Sequence, residues 1–458
     1  MNEPKSTLPL RPSACPGLLR IVSALDGGIC RIKLAGGSIT SVQATAVADA
    51  AQRYASGVIE ATNRANLQIR GIGAEQGALI ALLLDAGLGP NNAAGDDVRN
   101  LMLSPTAGID PQQLFDSRPL AQQILDTLQN QSRFHDLSPK FAILLDGGEG
   151  LAMGEHPHDL WLSARVIDGE TVLVFGLAGC PADDEPLGVV SLADGHELVV
   201  AVLDAFLERA RPEQTRMRHV LAQMPVEEFL QAIARLCGSE FIRESNSAVD
   251  QKNRDARFPN EFGPTEFRPA LHLGLYQQSV AGLVAVGAAV PLGRLDASML
   301  RAVAQLAADW GDDSLRFTPW QSVLLPNVRA EHAATVMSGL QSAGLICDSQ
   351  RPLAHIIACT GSAGCAKGLA DTKADGLKLA SSFEHHGLSL PVHLTGCSRS
   401  CAAAHTAPVT LLATSTGRYD LYFRDTQQPG FGTLRARDLT IDAVGALFVA
   451  DSRSSTDD

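Results

Sequence analysis

The chain has 458 residues, 45% of them apolar, nine cysteines and a formal net charge of −13. That length is too great for one ordinary core and predicts a chain of several domains or subdomains. The acidic balance argues against nonspecific nucleic-acid binding, so an anionic ligand requires Arg and Lys gathered in one place.

In chain order, MNEPKSTLPLRPSACPG has no apolar core behind its charges, which predicts a loose arm over 1–14 and a cytoplasmic protein. Ile29, Arg31, Ile32 and Leu34 read as a strand ended by Gly36-Gly37. VQATAVADAAQRY, 42–54, reads as an amphipathic helix with Val42, Ala46, Ala50 and Tyr54 on one face. Strands are predicted over 58–61 and 67–69, and buried strands at FAILLD, 141–146, and TVLVFGLAG, 171–179. LVVAVLDAFLERA, 198–210, and VEEFLQAIARLCG, 226–238, read as helices. Residues 239–268 turn charged and weakly periodic, marking a boundary between halves. The longest apolar runs, such as 281–292, fall short of the roughly 18 residues a membrane helix needs, so no membrane partner is expected.

An internal repeat supports that boundary. GGSITSVQATAVADAAQRY from Gly36 superposes without a gap on LGRLDASMLRAVAQLAADW from Leu292. Gly37 falls on Gly293, Ile39 on Leu295, Ala48 on Ala304, Ile59 on Leu315 and Thr62 on Thr318, a constant offset of 256. A duplicated α+β unit implies a pseudo-twofold molecule with a site between its halves.

Late in the second half stand Cys359-Thr-Gly-Ser-Ala-Gly-Cys365 and Cys397-Ser-Arg-Ser-Cys401. Zinc usually takes cysteines two to four residues apart. The wider first gap suits a larger object, and a cubane iron–sulfur cluster takes four thiolates. Small neighbours, including Gly361 and Gly364, let backbone N–H groups approach the sulfurs. Four structural thiols, or a zinc scaffold, are the plainer alternatives.

This cysteine pattern in a duplicated chain resembles the sulfite and nitrite reductase superfamily. The segments ACPGLLR, DGGICRIKLAGGSIT, TNRANLQIRG and VRNLMLSPTAGIDP are similar to its precorrin-3B synthase branch, of aerobic cobalamin synthesis. The resemblance spans roughly residues 14–450. It implies an α+β, pseudo-twofold reductase-like architecture with ferredoxin-like half-domains and an iron–sulfur domain. The corresponding segments are 1–14 arm, 15–80 first half-domain, 81–238 first reductase-like α/β domain, 239–268 linker, 269–335 second half-domain, 336–450 cluster domain and 451–458 tail.

The resemblance also implies roles. Cys359, Cys365, Cys397 and Cys401 would hold a [4Fe-4S] cluster, and Arg64, Arg99 and Lys140 match the family's anion-binding positions. A second family lysine falls on Ala142, and Trp320 occupies the repeat position of Arg64. The Ser-Arg-Ser loop and the run from Cys401 to His405 also depart from the family pattern. With precorrin-3A, a polycarboxylate, as substrate, Arg64, Asn66, Gln68, Arg70, Arg99 and Lys140 would bind it, Arg forks suiting carboxylates. The implied reaction takes O2, hydroxylates C20 and closes a γ-lactone. Two electrons are needed, with NADH as the ultimate source through a reductase or ferredoxin partner, because GIGAEQG at 71–77 breaks the dinucleotide fingerprint. A non-haem iron beside the cluster is further implied, while sirohaem would belong to the alternative, a sulfite or nitrite reductase. His156 and His158, in GEHPHDL, read as a polar surface turn, and His272 as a core histidine.

Overall fold

The computed structural model describes residues 15–237, 272–403, 407–425, 428 and 430–454. The arm, the whole 239–268 linker and His405 lie outside these residues; the helix Val226–Cys237 ends just before the linker.

Two five-stranded antiparallel sheets form the centre. One runs β1 (Val22–Ala24), β2 (Gly27–Ile32), β5 (Leu67–Ile72), β4 (Val58–Ala61), β13 (Arg294–Asp296). The other runs β11 (Gly274–Gln277), β12 (Leu283–Ala289), β15 (Ser322–Arg329), β14 (Ser314–Phe317), β3 (Ser38–Thr40). Each repeat therefore lends the short strand before its helix to the other repeat's sheet. The exchange is symmetric: Leu295 pairs Ile59 as Ile39 pairs Leu315.

The duplication reaches single atoms. The helices Ser41–Tyr54 and Ala297–Trp310 have the same length, capped by Thr40 and Asp296, whose side chains accept from Gln43 N and Met299 N. Gly37 and Gly293 both sit at φ 72°. A non-glycine residue would be strained there. Thr62 Oγ1 accepts from Arg64 N and Asn66 N, and Thr318 Oγ1 from Trp320 N and Ser322 N. The two helices pack on each other in one core that includes Ala44, Val47, Ala48, Ala51, Leu300, Val303, Ala304 and Ala307. The predicted helix face is corrected here: Val42 is 71% exposed. Alanine is small enough to sit on either side, so periodicity alone did not identify the buried face.

Two mixed sheets flank this centre and share one topology. The first is β10 (Gly188–Ser191), β9 (Glu170–Leu177), β8 (Leu160–Ile167), β7 (Ile143–Asp146), β6 (Leu101–Leu103). The second is β16 (Ile356–Ala358), β17 (Val392–Thr395), β18 (Val409–Ser415), β19 (Arg418–Phe423), β20 (Thr433–Leu439). In each, three parallel strands are followed by two antiparallel ones. Helices cover them, with Leu198, Val202 and Phe206 in the first core and Leu379 and Phe383 in the second. Among the described residues no helix is long and apolar enough to cross a membrane.

Ligand sites in sheets of this kind gather beyond the carboxyl ends of parallel strands. The first sheet places a buried acid pair there. Asp146 accepts from Gly148 N and Ser163 Oγ, and Glu149 from Gly147 N. Burial, and then Asp146, push the Glu149 carboxyl well up, so it keeps its proton near neutrality. A native pKa above the unfolded value gives stability that is lost as pH rises through it. Glu149→Gln is therefore expected to match the parent in thermal unfolding at pH 5 and to exceed it at pH 9.

Candidate functional site

The second mixed sheet carries the cysteines at the corresponding ends. Cys359 directly follows β16, and Cys397 lies just beyond β17. Adjacent parallel strands lie about 4.8 Å apart, so the two loops meet. Cys359 N extends the ladder to Leu394 O, and Gly396 N donates to Cys359 Sγ at 3.2 Å. A short helical turn, Gly361–Ala363, folds the first loop back, with Cys365 N donating to Gly361 O at 3.0 Å. Gly361 sits at φ 67°, and a Cβ there would stand 2.6 Å from Ala370 O. The helix Thr372–His386 starts at this loop, and Thr372 Oγ1 donates to Cys359 O at 2.7 Å.

All four thiols are free, and three of them are felt together at the fourth, Cys401; the space between the two loops is the cup. The Cys401 thiol is pushed up by desolvation first, then by Cys397, Cys359 and Cys365, while Arg399 acts the other way. Each of the other three is thus close enough to be felt. Among the described residues no group of three or more His, Cys, Asp or Glu is placed so that it could hold a single metal ion. The donor set, four thiols on two adjoining loops with one already accepting from a backbone N–H, suits the larger span of a [4Fe-4S] cluster rather than a single ion.

The cluster loop is bolted to the first repeat. Glu60, on β4, accepts from Thr360 Oγ1 at 3.0 Å and Arg294 at 2.8 Å, with Arg70 and Lys373 each at 3.7 Å. Burial raises the Glu60 carboxyl, but Lys373, Arg70 and Arg294 together outweigh it and hold the group below its ordinary range. Arg70 donates to Asp26 and, at 3.0 Å, to Gly364 O. Arg70, expected among the substrate residues, is only 4% exposed, and these partners occupy its guanidinium. These contacts tie the cysteine loop to the first repeat. By the pseudo-symmetry Arg316 stands where Glu60 does, and it donates to Pro105 O and Ala107 O of the counterpart loop.

A narrow cleft is lined by Arg64, Asn66, Arg99, Met102, Ala142 and His158, among others. The turn between β4 and β5 presents Arg64, with Ala65 at φ 55°. Burial first, then Arg216 and Arg31, push Arg64 down to about 10, against Asp159 and Cys15. Guanidiniums crowded in this way create a positive potential that an anion relieves. Arg99 donates to Gly89 O at 3.3 Å and faces Asp96 at 3.6 Å, while its Nε and Nη2 are buried without a hydrogen-bond partner. Asn66 lines the cleft, but its Oδ1 accepts from Leu34 N. Gln68, with its amide oxygen turned to the guanidinium, accepts from Arg31 at 2.8 and 3.1 Å. Lys140 is exposed and does not line the cleft.

Comparison with known proteins decides the family. The Nitrite/Sulfite reductase ferredoxin-like half domain matches residues 25–85 and 276–343, and the Nitrite and sulphite reductase 4Fe-4S domain matches 94–240. A ferredoxin–nitrite reductase of Synechococcus elongatus is 30% identical, over 84% of this chain and 76% of its own. The chain belongs to the nitrite and sulphite reductase family. A precorrin-3B synthase of Sinorhizobium sp. is 28% identical over 89% of this chain and 82% of its own. The fold is that of the Mycobacterium tuberculosis NirA protein, with a TM-score of 0.75 at 20% identity, covering 93% of this chain and 80% of that one. This is a family of redox enzymes with an iron–sulfur domain. Its 4Fe-4S match falls on the first mixed sheet, whereas the cysteine quartet lies on the second, which repeats the same topology.

Residues that sequence reasoning missed complete the site of this family member. Arg31 is felt at Arg64 and itself feels Cys401: burial lowers it, and both Cys15 and Cys401 raise it. Its alternation with Cys30 and Ile32 on β2, and its register opposite Gln68, are the signal that could have found it. The HPHDL turn is corrected. His156 and His158 are 0% and 1% exposed, because Asp159 behind them accepts from Arg216, Met217 N and Ala142 N and pulls the segment inward. In the second repeat Trp320 stacks on His272, ring centroids 5.1 Å apart, filling the space that corresponds to Arg64.

Proposed function

We propose that this family member is a monooxygenase that converts precorrin-3A to precorrin-3B, with a [4Fe-4S] cluster on Cys359, Cys365, Cys397 and Cys401. The observation that carries this reading is the cleft itself. It keeps Arg64 and Arg99 for carboxylates, but Ala142 stands where the resemblance leads one to expect a lysine, beside a neutral His158. Arg31, Arg64 and Arg216 crowd one another here, which suits carboxylates, while the further lysine that nitrite or sulfite would call for is replaced by Ala142. The similarity to the Sinorhizobium precorrin-3B synthase, over most of both chains, supports the reading.

The cleft is far too narrow for a whole tetrapyrrole, so a carboxylate arm of the substrate meets it at its mouth. Arg64 and Arg99 grip that arm by charge-assisted hydrogen bonds, and the ring lies across the mouth. Arg31 and Gln68 fix the wall between ring and cysteine cup. Lys140, exposed, meets an outer carboxylate. A cluster bound in the cup supplies electrons one at a time, so the partner is a ferredoxin or a reductase drawing on NADH, in the cytoplasm. A non-haem iron stays part of the proposal without an assigned ligand.

Ferredoxin–nitrite reductases at 30% identity favour the second reading, a sirohaem enzyme. One experiment separates them. Purified protein given precorrin-3A, a reductant and isotopic O2 is expected to add one labelled oxygen to product and to show no sirohaem absorption. Tightly bound sirohaem with nitrite or sulfite turnover would overturn the proposal.

A further inference from the structure

We infer that His158 presents a hydrogen-bond acceptor to the ligand of the Arg64 cleft, so that the cleft selects an oxygen acid still carrying one proton over a bare anion of the same shape. The inference rests on the cleft being the ligand site of the proposed function: the macrocycle's carboxylate would satisfy Arg64 and Arg99 alone, and His158 Nε2 is left for a hydroxyl beside it.

Its basis is a tautomer fixed by geometry. His158 Nδ1 lies 2.6 Å from the His156 carbonyl oxygen, which can only accept, so Nδ1 carries the hydrogen. Nε2, across the ring, then bears the lone pair. It is buried and has no hydrogen-bond partner among the described residues. The residue is 1% exposed and lines the same cleft as Arg64 and Arg99. Asp159 N bonds to Ala142 O at 2.9 Å, which sets His158 beside the position that lacks a lysine.

Charge keeps the acceptor an acceptor. Burial first, then Arg64, push His158 down to about 3, Arg216 adding to the effect and the His156 carbonyl opposing it. The ring stays neutral throughout the working range of pH. One cleft therefore holds donors without a hydrogen bond, Arg99 Nε and the Nη2 that only faces Asp96 at 3.6 Å, and one acceptor without one, His158 Nε2. A ligand with O⁻ at one side and O–H at the other satisfies both. A bare anion leaves the acceptor buried and unpaired, which is costly.

Bicarbonate and nitrate test this, being planar three-oxygen monoanions near neutrality of which only bicarbonate carries an O–H. The full, cluster-loaded chain with isotope-labelled histidine is titrated with each and followed by long-range proton–nitrogen correlation. The free protein is expected to show His158 protonated on Nδ1 alone. Bicarbonate is expected to shift Nε2 and to bind roughly tenfold more tightly than nitrate. In His158→Phe the preference falls to about unity while nitrate binding persists. Equal affinities in the parent, an unchanged preference in His158→Phe, or a hydrogen on Nε2 of the free protein would each overturn the inference. If His158→Phe does not fold, the parent's tautomer and its bicarbonate shift decide alone. Failure to hydroxylate precorrin-3A with these results intact would count against the proposed function and leave the histidine's role standing.

Discussion

Glu60→Ala is expected to cost about 3–5 kcal/mol in chemical denaturation, the penalty of leaving buried partner charges uncompensated. Glu60 is shared by Arg294, Arg70 and Lys373 and ties Thr360 of the cysteine loop to the first repeat. Arg70 retains Asp26, so the loss concentrates on Arg294, Lys373 and the loop. The variant is also expected to lose bound iron faster than the parent on exposure to a chelator. A pH signature follows from the depressed carboxyl. A native pKa below the unfolded value gives stability present above about 4.3 and lost as pH falls toward the native pKa. The parent should weaken steeply in that acid window, and Glu60→Ala should show a flatter slope there. Equal slopes would remove the network from the account.

Arg64→Ala is expected to weaken ligand binding about 10- to 100-fold, the value of one or two charge-assisted hydrogen bonds. Arg64→Lys should recover part of this, restoring a point charge without the fork. The same change should leave thermal stability unchanged or raise it, because Arg64 is crowded by Arg31 and Arg216. A fall in stability equal to the fall in binding would mark Arg64 as scaffold. Binding is read as KM or by titration, and stability by thermal unfolding of the same preparation.

The repeat was legible because its 256-residue offset preserves what the backbone demands: Gly37 and Gly293 at one turn, Thr40 and Asp296 as caps, Thr62 and Thr318 under another turn. The cysteine loops were legible because four thiols among glycines are uncommon in composition. The exchange of β3 and β13 between sheets was not, since a three-residue strand names no partner. The shared topology of the two mixed sheets was equally hidden. Ser104-Pro-Thr and Cys359-Thr-Gly occupy like places with few residues in common. Polar residues misled most where tertiary partners decide burial. His158 reads as surface until Asp159 and Arg216 are placed behind it. Arg70 reads as a ligand residue until Asp26 and Gly364 arrive from segments 44 and 294 residues away.

The most direct measurement is iron and acid-labile sulfide on the full chain after oxygen-free isolation and reconstitution, in the parent and in Cys359→Ser. About four irons and four sulfides per chain, with broad sulfur-to-iron absorption abolished in Cys359→Ser, is the predicted result. Zinc in place of iron, or full iron and sulfide retained in Cys359→Ser, would contradict it.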